Sequence, residues 1–162
     1  MIIKEIENIH WNRILEIQDQ SYQEIGTEEL EVLKGKKEAS PDTCFVCLSD
    51  NGEVEGYLLA HPWGGISPPK LFEPLPDVEG CEYLYLHDMA MSPQSKGKGL
   101  GRATAIKLFE VAQNKGINRV NLVAVQGSES FWTRMGFQEV TDVNVCSSYG
   151  ENAVLMEKIL AT

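Results

Sequence analysis

No stretch of this 162-residue chain holds the roughly 20 consecutive apolar residues that a bilayer crossing requires. The opening "MIIKEIENIHWN" has acids and amides where a secretory leader needs an apolar run, so the cytoplasm is the expected compartment. Basic residues are scarce: 14 Lys and Arg against 24 Asp and Glu give a net charge of -10. Such a surface repels nucleic acid and anionic membrane, and neither is expected as a partner. No internal repeat and no linker divides the chain, so one domain over 1–162 is expected. Cysteine is too sparse for a disulfide or metal framework. Cys44 and Cys47 form the one close pair, and "TCFVCLS" reads as a strand, where residues three apart point to opposite faces. A zinc site needs a second pair, so no metal is expected and the thiols are expected to be reduced.

What is present is an alternation of apolar runs and helical stripes. Ile2 to Ile6 reads as a first strand. "HWNRILEIQDQSY" places Trp11, Ile14, Leu15 and Gln18 at helical spacing, and "TEELEVLKGKKEA" is a weaker second helix with Thr27 as its N-cap. "CFVCLSD" and "VEGYLLAHPW" flank an Asn-Gly turn and read as a hairpin. The segment from His61 to Glu82 holds five of the seven prolines and is expected to be an irregular connection. Within it, Trp63 is either a wall of a substrate pocket or an anchor for its own loop. "CEYLYLHDMAM" is a central strand. Simple alternation puts Tyr83, Tyr85, His87 and Met89 on one face and Leu84, Leu86, Asp88 and Ala90 on the other. A helix from about Leu100 to Lys115 carries the stripe Ala105, Leu108, Phe109, Ala112 and ends at Gly116. "VNLVAV", the short helix "SESFWTRM", and the strands "FQEVTDV" and "AVLMEKIL" complete the chain.

Between Asp88 and Glu110 this acidic protein has no acid at all, while Lys96, Lys98, Arg102 and Lys107 fall there. "SPQSKGKGLGRAT" joins a strand to a helix. A glycine turn at a helix start presents several backbone N–H groups beside a partial positive charge, which makes an anion site. A Walker A loop is excluded, because Arg102 and Ala103 follow Gly101 where Lys and Ser or Thr would stand. A dinucleotide fingerprint is excluded by the G-x-G-x-G spacing and by Asn118 and Asn121 where an acid belongs. No nearby acids would hold magnesium. A metal-free pyrophosphate site remains.

The stretch "LHDMAMSPQSKGKGLGRATAIKLFEVAQNKG" resembles the acyl-CoA-binding motif of the GNAT superfamily of N-acetyltransferases. The motif falls on Lys96, Gly97, Lys98, Gly99, Leu100 and Gly101, with Lys96 where the family has Gln or Arg. "FWTRMGF" resembles the family's second motif. The resemblance implies a mixed, mostly antiparallel α/β sheet flanked by helices, and acetyl-CoA as co-substrate. It implies that amides from Gly97 to Arg102 cradle the pyrophosphate and that the backbone of Met89 and Met91 holds the pantetheine arm. A backbone N–H near Met89 or Ala90 would meet the oxyanion. His87 and Asp88 are the candidate bases, on opposite strand faces. Trp132 stands where relatives carry a tyrosine acid; it would pack against pantetheine or core, leaving Tyr149 as the substitute acid. The acceptor would be a primary amine, either a small molecule or a protein N-terminus or lysine, and homodimers are common in the family. A second reading is a sensor that binds acyl-CoA without turning it over.

Overall fold

A computed structural model of the protein describes residues 1–65, 67–76, 81–141, 145–150 and 152–160. Seven strands form one sheet: β1 (Ile2–Glu5), β2 (Cys44–Leu48), β3 (Val54–Trp63), β4 (Tyr83–Met91), β5 (Arg119–Ala124), β6 (Gln138–Glu139) and β7 (Val154–Ile159). Their order across the sheet is β1-β2-β3-β4-β5-β7-β6. Among the described residues, β4 and β5 are the one parallel pair. The α-helices described are α1 (Trp11–Ser21), α2 (Leu30–Ala39), α3 (Leu100–Asn114) and α4 (Glu129–Arg134). The mixed, mostly antiparallel sheet flanked by helices is the expected architecture. Among the described residues, no helix is long and apolar enough to cross a membrane.

Each face of the sheet has its own core. Leu58, Ala60, Leu84 and Leu86 pack with the α3 stripe Ala105, Leu108, Phe109 and Ala112 on one side. Tyr57, Leu59, Val46 and Cys44 pack with Trp11, Ile14 and Ile17 of α1 and Leu33 of α2 on the other. Cys44 and Cys47 are buried free thiols. Cys44 lies in the α1 core, while Cys47 interacts with Thr104 of α3, so the two point to opposite faces as expected.

Three local expectations fail. Thr27 is exposed and does not cap α2, whose N-cap is Glu29 without a side-chain bond. The irregular connection does not begin at His61: β3 runs through Pro62 and Trp63, as "VEGYLLAHPW" reads, paired with Leu84 and Tyr83. β2 pairs only as far as Leu59, so beyond it β3 has a free edge on that side, where a proline without N–H costs no ladder bond. The strand read in "FQEVTDV" is confined to Gln138–Glu139, and Asp142 and Val143 lie outside the described residues.

Gly56 sits between β2 and β4, paired with Cys47 and Met91. A Cβ there would collide with Met91 Sδ and lie 2.9 Å from the Ala90 carbonyl oxygen. The methionine tip can move, but the strand backbone cannot move without breaking pairing. Gly56→Ala is therefore expected to destabilise the fold by about 1–3 kcal/mol, as overpacking does, and urea unfolding checks it.

Candidate active site

β4 and β5 separate. Their parallel ladder covers only Leu84, Leu86 and the residue between, against Val120–Leu122, while β4 continues to Met91. The edge of β4 from His87 onward therefore has β3 on one side and no strand on the other. A cleft of about 510 Å³ opens there, bounded by β4, β5, the glycine turn, the end of α1 and the loop to α2. On the β3 side, Ser92 donates its N–H to Glu55 O. Backbone groups alternate sides along a strand, so Ala90 also faces β3, and Met89 and Met91 face the cleft. The Met89 carbonyl confirms this orientation by accepting the Tyr22 hydroxyl at 3.0 Å. Ala90, expected to touch the ligand, does not line the cleft; its methyl lies in the α1 core.

A register shift alters the face assignment. Leu59 pairs with Asp88 and Ala60 pairs with Leu86, which leaves His87 as an extra residue on β4. Such a bulge breaks the alternation. His87 and Asp88 consequently share the α1 face, and Met89 joins the opposite core with Leu84 and Leu86. The expectation that the two candidate bases point to opposite faces is thus corrected.

The two bases sit in different electrostatic settings. Asp88 Oδ2 accepts the Tyr57 hydroxyl at 2.7 Å, while Oδ1 is buried without a partner. Burial raises the Asp88 carboxyl to about 7, against the pull of Tyr22 and Tyr57. The His87 ring is fully buried and donates through Nε2 to Glu28 Oε1 at 2.8 Å, leaving Nδ1 without a partner. Burial pushes its pKa down, so it is neutral. Glu28 is the opposite case: burial alone would raise it, but His87, Lys36 and the Phe72 N–H together hold it down to about 2. Lys36 Nζ lies 3.0 Å from Glu28 Oε2 and is completely buried.

The glycine turn has the expected form. Gly97 and Gly99 have φ of +83° and +74°, a region other residues avoid, and Gly99 caps α3. The first α3 bond runs from Ala103 N–H to Gly99 O. The N–H groups of Gly97 through Arg102 find no acceptor among the described residues. A Cβ on Gly101 would meet Met89 Cε at 3.4 Å and Phe131 Cζ at 3.7 Å, within ordinary contact. Lys96, Lys98 and Arg102 are exposed, and none forms an ion pair among the described residues. Lys96, Gly97, Gly99, Leu100, Gly101 and Arg102 border the cleft; Lys98 does not.

Trp132 borders the cleft but belongs to the core, edge-on to Phe131 at 4.8 Å and Phe137 at 5.4 Å. Tyr149 also reaches the cleft, yet its hydroxyl accepts from Tyr85 at 3.0 Å and donates to the Pro69 carbonyl, so its proton is already committed. Trp63 anchors its own loop through Nε1 to Ser67 O at 2.9 Å. Sequence reasoning missed Tyr22, Glu28 and Lys36, which sit in unremarkable polar helix and loop patterns. It also missed Gln126, whose left-handed φ of +52° directs Nε2 to Ser21 O at 2.7 Å across the cleft mouth.

Residues 11–137 match the profile of the Acetyltransferase (GNAT) family. The chain belongs to this family. The fold agrees with solved structures at low identity. Ard1 from Thermoplasma volcanium has a TM-score of 0.78 at 14% identity, with 99% of this chain and 98% of that one covered. The ribosomal-protein-S18-alanine N-acetyltransferase from Escherichia coli gives 0.73 at 14%, covering 99% and 94%. GphF, a GNAT-like decarboxylase solved with isobutyryl-CoA, gives 0.82 at 13%, covering 99% and 100%. No curated protein matches the sequence.

A carboxyl held near 7 binds its proton more tightly folded than unfolded, where 3.8 applies. Native stability therefore falls as pH rises from about 4 to about 7, and the loss is constant above that. The ceiling on that loss is on the order of 4 kcal/mol. Asp88→Asn keeps an acceptor for Tyr57 without the charge. It is expected to melt several degrees above the parent protein at pH 8, with the gap closing by pH 4, in paired thermal melts.

Proposed function

We propose that the protein transfers an acetyl group from acetyl-CoA to a primary amine bound in the same cleft. The observation that carries this reading is the row of unpartnered amides from Gly97 to Arg102 at the mouth of the β4–β5 opening. Amides at the start of a fifteen-residue helix, with three unpaired cations beside them, fit a pyrophosphate without metal. Among the described residues, no cluster of acids and histidines has the makings of a metal site. The cleft-facing backbone of Met89 and Met91 fits the amide-bearing arm of CoA, which would bond there as a strand does. Two of the solved relatives, the S18-alanine enzyme by its name and GphF by its bound isobutyryl-CoA, support the same class of chemistry and ligand.

In the reaction the chain must accept a proton from the ammonium and stabilise the tetrahedral oxyanion. Asp88 takes the base role: it stands at the opening, has a free oxygen, and exchanges its proton near neutrality. His87 supports from below, tied to Glu28 and out of solvent's reach. The Met89 N–H, on the cleft side, is the oxyanion donor. The amine then bonds to the acyl carbon, the C–S bond breaks, and the thiolate receives a proton. Tyr149 is a poor source for that proton, since Pro69 holds it; water supplies it to a thiolate of ordinary basicity. The committed Tyr149 and the core-packed Trp132 are what favour the second reading, a sensor that binds acyl-CoA without turnover.

Acetyl-CoA is expected to raise the melting temperature of the protein, and release of free thiol with an amine panel separates enzyme from sensor. Gly99→Asp puts a carboxylate among the amides, in open space and in a conformation Asp tolerates better than most residues. It is expected to fold and to lose the CoA shift; normal CoA binding by this variant defeats the loop assignment. In the active protein, kcat/KM is expected to rise with pH through a step near 7, where Asp88 ionises. In Asp88→Asn that step disappears and the rate falls by about 10²–10⁴.

A further inference from the structure

The end of the cleft away from the glycine turn is walled by Tyr22, Ile25, Leu71, Phe72 and Tyr149. Two of these belong to a segment fastened at three points. Pro69 O accepts the Tyr149 hydroxyl, Leu71 N–H donates to Ser148 Oγ at 3.4 Å, and Phe72 N–H donates to Glu28 Oε2 at 2.9 Å. Phe72 is held at φ +68°, where aromatic residues are rarely found, and is 42% exposed. Its ring passes over Gly26, where a Cβ would lie 3.8 Å from Phe72 Cζ. An unfavourable backbone conformation that keeps a phenyl ring beside a cleft is a feature maintained against its own cost.

Most of the polar side chains beside this wall are already used; Gln20 and Ser21 also border the cleft, at the end of α1. Gln18 spends both ends of its amide on the backbone of Glu28. The Glu28 carboxylate is shared by Lys36, His87 and Phe72 N–H. The Tyr149 hydroxyl lies between Tyr85 and Pro69, and the Tyr22 hydroxyl is on Met89 O. Asp88 Oδ1 and His87 Nδ1 are buried without a hydrogen-bond partner. A ligand seated against Ile25, Leu71 and Phe72 meets a wall that is mostly hydrocarbon, with Asp88 also among the lining residues. A polyamine would press its further ammonium groups onto Leu71 and Phe72, and an amino sugar would bury hydroxyls against Ile25, Leu71 and Phe72, which cannot bond them; both cost desolvation that this wall does not return.

We infer that the acceptor is a primary amine carried on a compact apolar body, an arylalkylamine in character, seated against Ile25, Leu71 and Phe72 with its nitrogen toward Asp88. This rests on the acetyl-transfer reading above and names the class of amine it serves.

The test compares 2-phenylethylamine, spermidine, glucosamine and a short peptide with a free N-terminus, using acetyl-CoA and thiol release. The expected kcat/KM for 2-phenylethylamine exceeds that of each other amine at least tenfold; preference for any of the three overturns the inference. Ile25→Asp places an acid on the wall and is expected to raise the 2-phenylethylamine KM at least tenfold while the CoA melting shift stays the same. An unchanged KM with that variant also overturns it. Calorimetric titration of 2-phenylethylamine and of spermidine into the protein with CoA present reads the preference without turnover. If no amine releases thiol but 2-phenylethylamine binds more tightly, acetyl transfer fails and the apolar-amine site stands; tighter spermidine binding, or binding of neither, removes the site.

Discussion

The short ladder between β4 and β5 is the constraint on which the site depends. Strands inside a sheet normally leave no backbone group unpaired, because a buried N–H or C=O without a partner costs free energy. Here the ladder ends at Leu86 and Leu122 while β4 runs on to Met91, so cleft-facing groups of β4 are left for something other than a strand. Tyr22 covers the Met89 carbonyl, and Gln126 ties α1 to the turn after β5. These two bonds draw the end of α1 toward both sides of the opening. The last turn of α1 is thereby part of the site rather than a flank of the core.

A second constraint is the treatment of charge beneath that opening. Lys36 and Glu28 are both buried, and removing a paired charge from water is expensive enough that such a pair seldom adds net stability. Its effect is positional. Glu28 joins α2 through Lys36, β4 through His87, and the 69–72 segment through the Phe72 amide. It also leaves Glu28 ionised and compensated, so that Asp88 alone faces the cleft with a carboxyl free to exchange its proton. Two carboxylates on one face thus come to different states. Glu28 is surrounded by donors and a cation; Asp88 has Tyr57, its neighbour Tyr22 and hydrocarbon.

Much of this was legible in the residues. The helical stripes of α1 and α3, the hairpin of β2 and β3, and the glycine turn all follow from local periodicity or from conformations only glycine takes readily. Those signals depend on neighbours in sequence. What was not legible depends on neighbours in space. The bulge at His87 has no marker in "YLYLHDMAM", and one extra residue is enough to bring His87 and Asp88 to the same face. Lys36 in "LKGKKEA" looks like a solvated helix lysine, because nothing local reveals that Glu28 lies under the sheet. The prolines from Pro62 on placed the start of the irregular connection at His61, whereas β3 continues to Trp63, since the free edge of β3 is set by where β2 stops.

Charge distribution ties the site to the rest of the surface. A protein of net charge -10 repels a polyanion at long range, so a glycine turn that holds CoA, as proposed above, would have to recognise it at short range. Amides serve that purpose better than cations. They are fixed by the α3 geometry, carry no counterions to displace, and point only at what sits in the turn. Lys96, Lys98 and Arg102 offset the background locally, and among the described residues no ion pair takes up that charge. On the acetyl-transfer reading proposed above, specificity for the anion would then lie in the backbone geometry of the turn rather than in the side chain at position 96.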